Sequence, residues 1–346
     1  MPFQIIHNDI TKVKADVIVN SANPAPRIGG GSDRAIYDAA GADALLAERK
    51  KIGIIRTGEA SATPAFALQA KYIIHTVGPV WNGGSCGEAQ ALDSCYVNSL
   101  TLAVKLSAES IAFPLISTGI FGYPKEEALK IALNAISKFL QSHDINVTLV
   151  VYDLRDFELS SRLTGEIDDY IEVNLNPPVC CYELVEPAAG RRLRRAEQRQ
   201  LQMQDLDMAE VPLFSPAYML DRESKSLDQI LNDAGESFQQ RLFELIDESG
   251  MDDVTVYKKA NIDRKLFSRI RCKADYKPKK RTAVAFAIAL RLDMPTMLDL
   301  LSRAEIAFSP SSKFDLIITY CVDHGIYDIF EINSILFKYG EPILGE

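Results

Sequence analysis

The chain has 346 residues, a length that suggests two domains, or three if some are small. Hydrophobic residues make up 47% of it, which is ordinary for a globular protein. The formal net charge of −9 argues against a globally basic nucleic-acid-binding protein, although it leaves local basic patches open. No apolar run is long enough to cross a bilayer, no signal peptide is visible, and the six cysteines lack metal-ligand spacing. We therefore expect a cytoplasmic protein with free thiols and no membrane contact.

A strand, a polar turn and a glycine-rich loop follow one another near the start of the chain. The β-branched run at 17–19 predicts a buried strand, and Asn20 and Asn23 come where it ends. Three successive glycines, residues 29–31, let the backbone approach a ligand, and Asp33 opens a stretch with helical periodicity. Free N–H groups at a helix start form an anion site. A plain strand-to-helix connection explains the same residues without a ligand.

A second loop of this kind lies far along the chain. Residues 111–124 again run from an apolar strand through Ser117, Thr118 and Gly119 into a helix. Two such loops at the carboxyl ends of strands are how an open α/β sheet forms a ligand crevice. The pair therefore favours a site for a phosphate-bearing ligand over a plain connection.

Four sequence blocks in the first half of the chain carry a family resemblance. They are Asn8-Asp9-Ile10-Thr11, residues 20–40, residues 57–60 with 72–79, and residues 117–124. In this order and spacing, residues 1–175 resemble a macrodomain, the ADP-ribose-binding module, and in particular its hydrolase branch. The resemblance implies a three-layer α/β/α fold with a mixed sheet, and the alternation of strands and helices over 3–152 agrees with it.

The resemblance assigns the ligand contacts to two parts of the chain. Asp9 would accept a hydrogen bond from the adenine amino group while the N–H of Ile10 meets the ring; an Asx-turn leading out of the strand is the alternative for Asp9. Residues 117–121 would offer backbone N–H groups to the diphosphate, with Phe121 beside the distal ribose. The implied binding residues are Asp9, Ile10, Asn20, Gly29, Gly30, Gly31, Ser117, Thr118, Gly119, Ile120 and Phe121.

Asn23 and Asp33 match the two residues to which the resemblance assigns catalysis. Asn23 would hydrogen-bond the distal ribose, and Asp33 would orient and partly deprotonate a water that attacks its anomeric carbon, releasing a protein carboxylate. A positioned base of this kind contributes ~10²–10⁴-fold. The same site could remove an acetyl group from O-acetyl-ADP-ribose. No metal and no redox cofactor are implied.

Three residues depart from the hydrolase pattern of the glycine-rich loop. Ile28 replaces a glycine, Ser32 a valine, and Arg34 the last glycine. Ile28, together with Pro24 and Pro26, should stiffen a loop that must open for a bulky protein adduct. Arg34 either pairs with a phosphate or points into solvent, and we favour solvent.

The remaining elements of this region are predicted from periodicity. Amphipathic helices are expected over 87–108 and 125–142, a last strand over 147–152, and a short closing helix over 156–163. His75 lies in an apolar strand at 72–77. A histidine in such a strand is more often a hydrogen-bonded core residue than an acid or base, so we leave it out of the site.

The composition changes after residue 175. Residues 176–225 are proline-rich and strongly charged, which indicates a linker with one charged helical segment. The pattern of residues 226–346 predicts an all-α domain. Within it, residues 254–271 resemble the helix-turn-helix of phage repressors, with Asp263 as the N-cap of the second helix.

The helix-turn-helix-like segment is locally basic. Eleven Lys and Arg residues lie from Lys258 to Arg281, against Asp263 and Asp275. This excess fits phosphate contacts, so 254–281 is a candidate DNA-binding surface. A basic helical surface also serves protein docking. Two hypotheses follow: a hydrolase that acts on ADP-ribosylated proteins, and a non-catalytic ADP-ribose reader coupled to a DNA- or protein-binding helical domain.

Overall fold

The computed structural model describes residues 2–153, 157, 159, 161–175, 236–273 and 276–345. The predicted linker at 176–225 and the start of the predicted C-terminal domain lie outside these ranges. Residues 2–175 and 236–345 belong to one compact unit. The two predicted domains are therefore packed against each other.

A six-stranded mixed sheet forms the centre of the N-terminal region. Its strands, in chain order, are β1 (Phe3–His7), β2 (Val17–Ser21), β3 (Ala60–Pro64), β4 (Tyr72–Thr76), β5 (Ser110–Pro114) and β6 (Asn146–Val151). Their spatial order is β1-β6-β5-β2-β4-β3, and every pair is parallel except the edge pair β3 and β4. Strand β3 is not predicted from the sequence pattern.

Helices cover both faces of this sheet. On one face, α1 (Gly31–Ala40), α2 (Ala42–Ile52) and a 3₁₀ turn (Ile10–Lys12) bury side chains against Ile18 and Ile73. On the other face, α3 (Glu88–Lys105) and α4 (Lys125–Ser142) pack against Val17, Val19 and Ile74. Neighbouring strand residues thus enter opposite cores, as the period of two requires. The predicted α/β/α fold with a mixed sheet is confirmed.

The closing helix lies later in the chain than predicted. We expected it over 156–163, whereas α5 runs over Ser161–Leu175. Ile167 and Ile171 lie one turn apart and are both buried. Their partners include the distant helix α11 (Lys313–Asp323), where the Tyr170 and Tyr320 rings meet edge-on at 5.4 Å. A prediction from local pattern gives the wrong end for this helix, because its packing partner is supplied from the other end of the chain; residues 156, 158 and 160 of the predicted range lie outside the described residues.

The described part of the C-terminal region is helical, as predicted. Besides α11, it contains α6 (Phe238–Ser249), α7 (Asp253–Lys259), α8 (Arg264–Cys272), α9 (Lys280–Ala289), α10 (Met294–Ser302) and α12 (Ile329–Lys338). Asp263 caps α8 by accepting a hydrogen bond from the Leu266 N–H, so the predicted N-cap is confirmed. Within the described residues, no helix combines the length and the apolar character needed to cross a membrane.

The turn between α7 and α8 is buried against strand β1. Asn261, only 1% exposed, accepts from the Phe3 N–H at 2.9 Å and donates to the Phe3 carbonyl at 2.8 Å. Its amide also donates to the Leu344 carbonyl at 3.3 Å, and the ring of Phe330 lies 4.8 Å from that of Phe3. The helices thereby cover the β1 edge of the sheet, which protects unpaired strand groups.

Candidate active site

The connections after β2 and β5 leave neighbouring strands in opposite directions. β2 and β5 are parallel partners. The chain leaves β2 for α1 on one face of the sheet, and leaves β5 for α4 on the other face. Such a divergence between adjacent parallel strands opens a crevice at their carboxyl ends, where α/β proteins bind ligands. Both glycine-containing loops of the sequence analysis lie there.

Asp33 is buried in the first turn of α1 with both carboxylate oxygens hydrogen-bonded. It is 3% exposed. The Asn20 side-chain amide donates to Oδ1 at 2.6 Å, and the backbone N–H of Gly29 donates to Oδ2 at 2.5 Å. Burial raises the pKa of Asp33 above its ordinary value, while Asn20, Gly29 and the Arg49 charge partly oppose that rise. The carboxylate therefore titrates at a higher pH than an exposed aspartate.

A chain of buried polar side chains lies behind Asp33. Asn20 and His75 are fully buried, and Thr63 is 3% exposed. The Asn20 Nδ2 lies 3.2 Å from His75 Nδ1, and His75 Nε2 lies 3.0 Å from Thr63 Oγ1. Burial, with a smaller contribution from the Arg49 charge, lowers the pKa of His75 to about 3, so the ring is neutral near pH 7. His75 is thus a hydrogen-bonded core residue, as the sequence favoured.

Arg49 holds the backbone on which Asn23 lies. Its guanidinium donates to the carbonyls of Asn23 at 3.2 Å and Pro24 at 3.0 Å, and also to that of Gly53. Arg49 is 1% exposed although it comes from a charged stretch of α2. No sequence pattern marks this role, because Arg49 resembles its solvent-exposed neighbours Lys50 and Lys51.

The side chains of Asn23 and Asp33 flank the same glycine. A Cβ added to Gly29 would lie 2.5 Å from Asn23 Nδ2 and 3.0 Å from Asp33 Oδ2. Both predicted catalytic side chains therefore meet at Gly29. Asn20, predicted as a ligand contact, lies beneath them, with its amide directed to Asp33 and His75.

The loop after β5 offers unused backbone donors. Among the described residues, the backbone N–H groups of residues 117–121 have no hydrogen-bond acceptor. The Phe121 carbonyl accepts a hydrogen bond from the Trp81 N–H at 2.9 Å. Ser117 has a left-handed φ of 65°, and its buried hydroxyl has no partner there either. Such backbone strain is typical of ligand sites.

The two loops approach each other directly. A Cβ on Gly30 would lie 3.0 Å from Ile120 Cδ1, and the Ile120 side chain is 82% exposed. An apolar side chain of this size beside glycine backbone forms one wall of the crevice. The predicted binding residues Gly30 and Ile120 are therefore neighbours in space.

Asp9 follows β1 and takes the Asx-turn geometry considered above. Its Oδ1 accepts from the Thr11 N–H at 2.9 Å and the Thr11 hydroxyl at 2.8 Å. Ile10 is 6% exposed and contributes its side chain to the core. The turn occupies one oxygen of Asp9, and adenine contact stays a prediction for both residues. In the described ranges no cluster of His, Cys, Asp and Glu could hold a metal ion.

Comparison with known proteins identifies the family. The model of the macro domain matches residues 19–132. An O-acetyl-ADP-ribose deacetylase of Citrobacter rodentium is 45% identical over 170 residues, which are 48% of this chain and 96% of the relative. A macro domain-containing protein of Methanosarcina mazei is 50% identical over 152 residues, 43% of this chain and 81% of the relative. An Oceanobacillus iheyensis macrodomain solved with ADP is 40% identical, covers 48% of this chain and 92% of that chain, and has a TM-score of 0.44.

The α/β/α fold and a crevice between two glycine-containing loops define a nucleotide-binding class of site. Through its N-terminal half, the chain belongs to the macro domain family.

Proposed function

We propose that the chain binds ADP-ribose and hydrolyses it from acidic protein side chains, or deacetylates O-acetyl-ADP-ribose. One observation carries the proposal. A buried carboxylate, Asp33, and a run of unused backbone donors at 117–121 lie on two loops that touch at the same crevice. The backbone N–H donors can bind a diphosphate without the help of Lys or Arg. The carboxylate can orient a water molecule at the adjoining ribose.

Asp33 acts as the general base in this proposal. It orients water and takes its proton as the water oxygen attacks the anomeric carbon of the distal ribose. The bond from that carbon to the ester oxygen breaks, and the protein carboxylate leaves with the electron pair. Because burial raises the pKa of Asp33, its carboxylate is a stronger base than an exposed one.

Asn23 positions the ribose beside Asp33. Its backbone is held by Arg49, and its amide hydrogens lie next to Gly29, where the two side chains converge. An amide donor suits a sugar hydroxyl because it fixes the ring without adding charge. The relatives named as O-acetyl-ADP-ribose deacetylases support a hydrolytic macrodomain.

The test is release of ADP-ribose from a protein mono-ADP-ribosylated on Glu or Asp, with O-acetyl-ADP-ribose as a second substrate. We expect turnover by the wild type and a loss of ~10²-fold or more in Asp33→Ala and Asn23→Ala. Asp38→Ala is the matched control, since Asp38 lies one turn further along α1, is exposed, and pairs only with Arg34 among the described residues. In ¹⁸O water, attack at the anomeric carbon labels the ADP-ribose, whereas attack on an acetyl group labels the acetate. Tight ADP-ribose binding without turnover by the wild type would show a reader instead.

The helical region suggests a second candidate function, binding of DNA. Arg264, Lys265 and Arg269 on α8 are exposed, and the described part of the chain offers them no ion-pair partner. Unpaired cations along one helix suit phosphate contacts. We expect Lys265→Gln with Arg269→Gln to weaken binding to duplex DNA and to reduce the salt-dependence slope by about 2. An unchanged affinity, or no binding by the wild type, would exclude this surface for DNA.

A further inference from the structure

We propose that Thr63 and His75 are positioning residues for Asp33, acting on it through the side-chain amide of Asn20. The proposal rests on the hydrolase function above. It concerns residues outside both loops: Thr63 lies on β3, His75 on β4 and Asn20 on β2. Strand pairing sets Asn20 opposite His75, so the sheet itself aligns two of the three side chains.

All three side chains are sealed from solvent. Asn20 and His75 are fully buried and Thr63 is 3% exposed. A buried donor without a protein acceptor is destabilising, because no water can replace the missing partner. The two hydrogens of the Asn20 amide have acceptors in Asp33 and His75, whereas Asn20 Oδ1 has no partner among the described residues.

The position of Asn20 selects the tautomer of His75. The Asn20 Nδ2 lies 2.6 Å from Asp33 Oδ1, an ionised acceptor, and 3.2 Å from His75 Nδ1. An amide nitrogen only donates, so His75 Nδ1 must accept and the ring proton must be on Nε2. That proton is donated to Thr63 Oγ1 at 3.0 Å. The hydroxyl of Thr63 thus stabilises the one tautomer that lets Asn20 donate to Asp33.

Removing the Thr63 hydroxyl reverses the tautomer preference of His75. With no acceptor beside Nε2, the ring proton is better placed on Nδ1, where it meets the Asn20 amide. Asn20 relieves this clash by turning its oxygen toward His75 and therefore also toward Asp33. An oxygen facing Asp33 Oδ1 favours the protonated carboxyl group, which raises the pKa of Asp33 further and removes the base at neutral pH.

Other titratable groups near Asp33 are Tyr37, Arg49 and His75. Burial and the Asp33 charge raise the pKa of Tyr37, on α1, to about 12. Arg49, on α2, stays cationic, and the pKa of His75 is about 3. His75 also titrates at acidic pH, so the titration of the Asp33 carboxyl carbon, followed by NMR, assigns the acid limb.

The test compares Thr63→Val, which keeps the shape and removes the hydroxyl, with Thr63→Ser, which keeps the hydroxyl. We expect Thr63→Val to shift the acid limb of the pH–rate profile upward by about one pH unit, a tenfold loss on that limb. Thr63→Ser should follow the wild type, and ADP-ribose affinity should be similar in all three. Superimposed profiles for Thr63→Val and wild type would overturn the proposal, as would equal shifts in both variants.

A second readout does not depend on turnover. NMR of labelled imidazole nitrogens reports the His75 tautomer, and the Asp33 carboxyl carbon reports its titration. We expect the Nε2–H tautomer in wild type and Thr63→Ser, and the Nδ1–H tautomer with a higher Asp33 midpoint in Thr63→Val. An unchanged tautomer and midpoint overturn the positioning role even if the protein proves to be a reader. Absent turnover with the expected shifts overturns only the hydrolase function.

Discussion

Two buried asparagines, Asn20 and Asn261, organise two different regions of this molecule. Both have almost no exposed surface, and both use their side-chain amides on distant parts of the chain. Asn20 contacts two ionisable side chains, Asp33 and His75. Within the described ranges, the Asn261 side chain is hydrogen-bonded to backbone groups, those of Phe3 and Leu344.

The difference in hydrogen-bond partners gives Asn20 a role in the chemistry of the site and Asn261 a structural role. Ionisable partners change their charge with pH, so the surroundings of Asn20 respond to protons. Backbone partners carry no titrating group, so the Asn261 side chain holds strand β1 to the helices without responding to protons. We therefore expect changes at Asn20's network to alter activity, and changes at Asn261 to alter stability.

The largest effect on stability is expected from Asn261→Ala. It removes three hydrogen bonds and leaves the buried N–H and carbonyl of Phe3 without their side-chain partner, while the Leu344 carbonyl keeps the hydrogen bond from the Asn333 amide. At about 1 kcal/mol for each bond, the free energy of unfolding should fall by ~3 kcal/mol. Denaturant titration measures the loss, while ADP-ribose affinity should be unchanged in the folded protein.

Asn261→Gly is the matched control for backbone strain. Asn261 has a left-handed φ of 54°, a conformation that glycine adopts freely and alanine does not. The glycine variant should be more stable than the alanine variant by about 1 kcal/mol and still less stable than the wild type. A glycine variant as stable as wild type would mean that conformation, and not the hydrogen bonds, matters at this turn.

Substitution of Gly29 or Gly345 by alanine disturbs the surroundings of Asp33 or of Asn261, respectively. In Gly29→Ala, the added Cβ lies 2.5 Å from Asn23 Nδ2 and 3.0 Å from Asp33 Oδ2; in Gly345→Ala it crowds the Asn261 carbonyl and lies 3.0 Å from its Nδ2. Overpacking costs about 1–3 kcal/mol. We expect Gly29→Ala to lower kcat/KM at least tenfold, and Gly345→Ala to lower stability by ~2 kcal/mol. Assays of both quantities on both variants check the contrast, and the reverse pattern would contradict it.

A pH-dependent effect, specific to Asn20's surroundings, is expected from His75. The pKa of His75 is about 3 in the folded protein against an ordinary value of 6.5, so between these values the unfolded chain binds a proton that the folded chain does not. Stability therefore falls as pH falls through this window, by up to ~1.4 kcal/mol per pH unit from this group. His75→Gln should have a shallower pH dependence of unfolding. Identical slopes in the two proteins would contradict a buried neutral histidine.

What the sequence predicts well depends on local signals. Residues 17–40 form the predicted strand, loop and helix, and Asp263 caps α8, because each pattern is contained within a few residues. Thr63 and Arg49 act through partners 12 to 26 residues away, and Asn261 through a partner 258 residues away. No periodicity or motif marks such pairs, so the loops of the site could be predicted while the side chains that hold them could not.

The smallest effect is expected in α5, the helix that joins the two regions. Tyr339 donates to the Thr164 carbonyl and to Asp168, so this helix packs against the C-terminal helices. Gly165 lies exposed inside α5, and a Cβ there would meet nothing within 4 Å. Gly165→Ala should raise the free energy of unfolding by about 0.5–1 kcal/mol, because alanine loses less conformational entropy in a helix. Unlike the changes at Asn261, it should raise the denaturation midpoint and leave kcat/KM unchanged; a lower midpoint would contradict the helix or its exposed face.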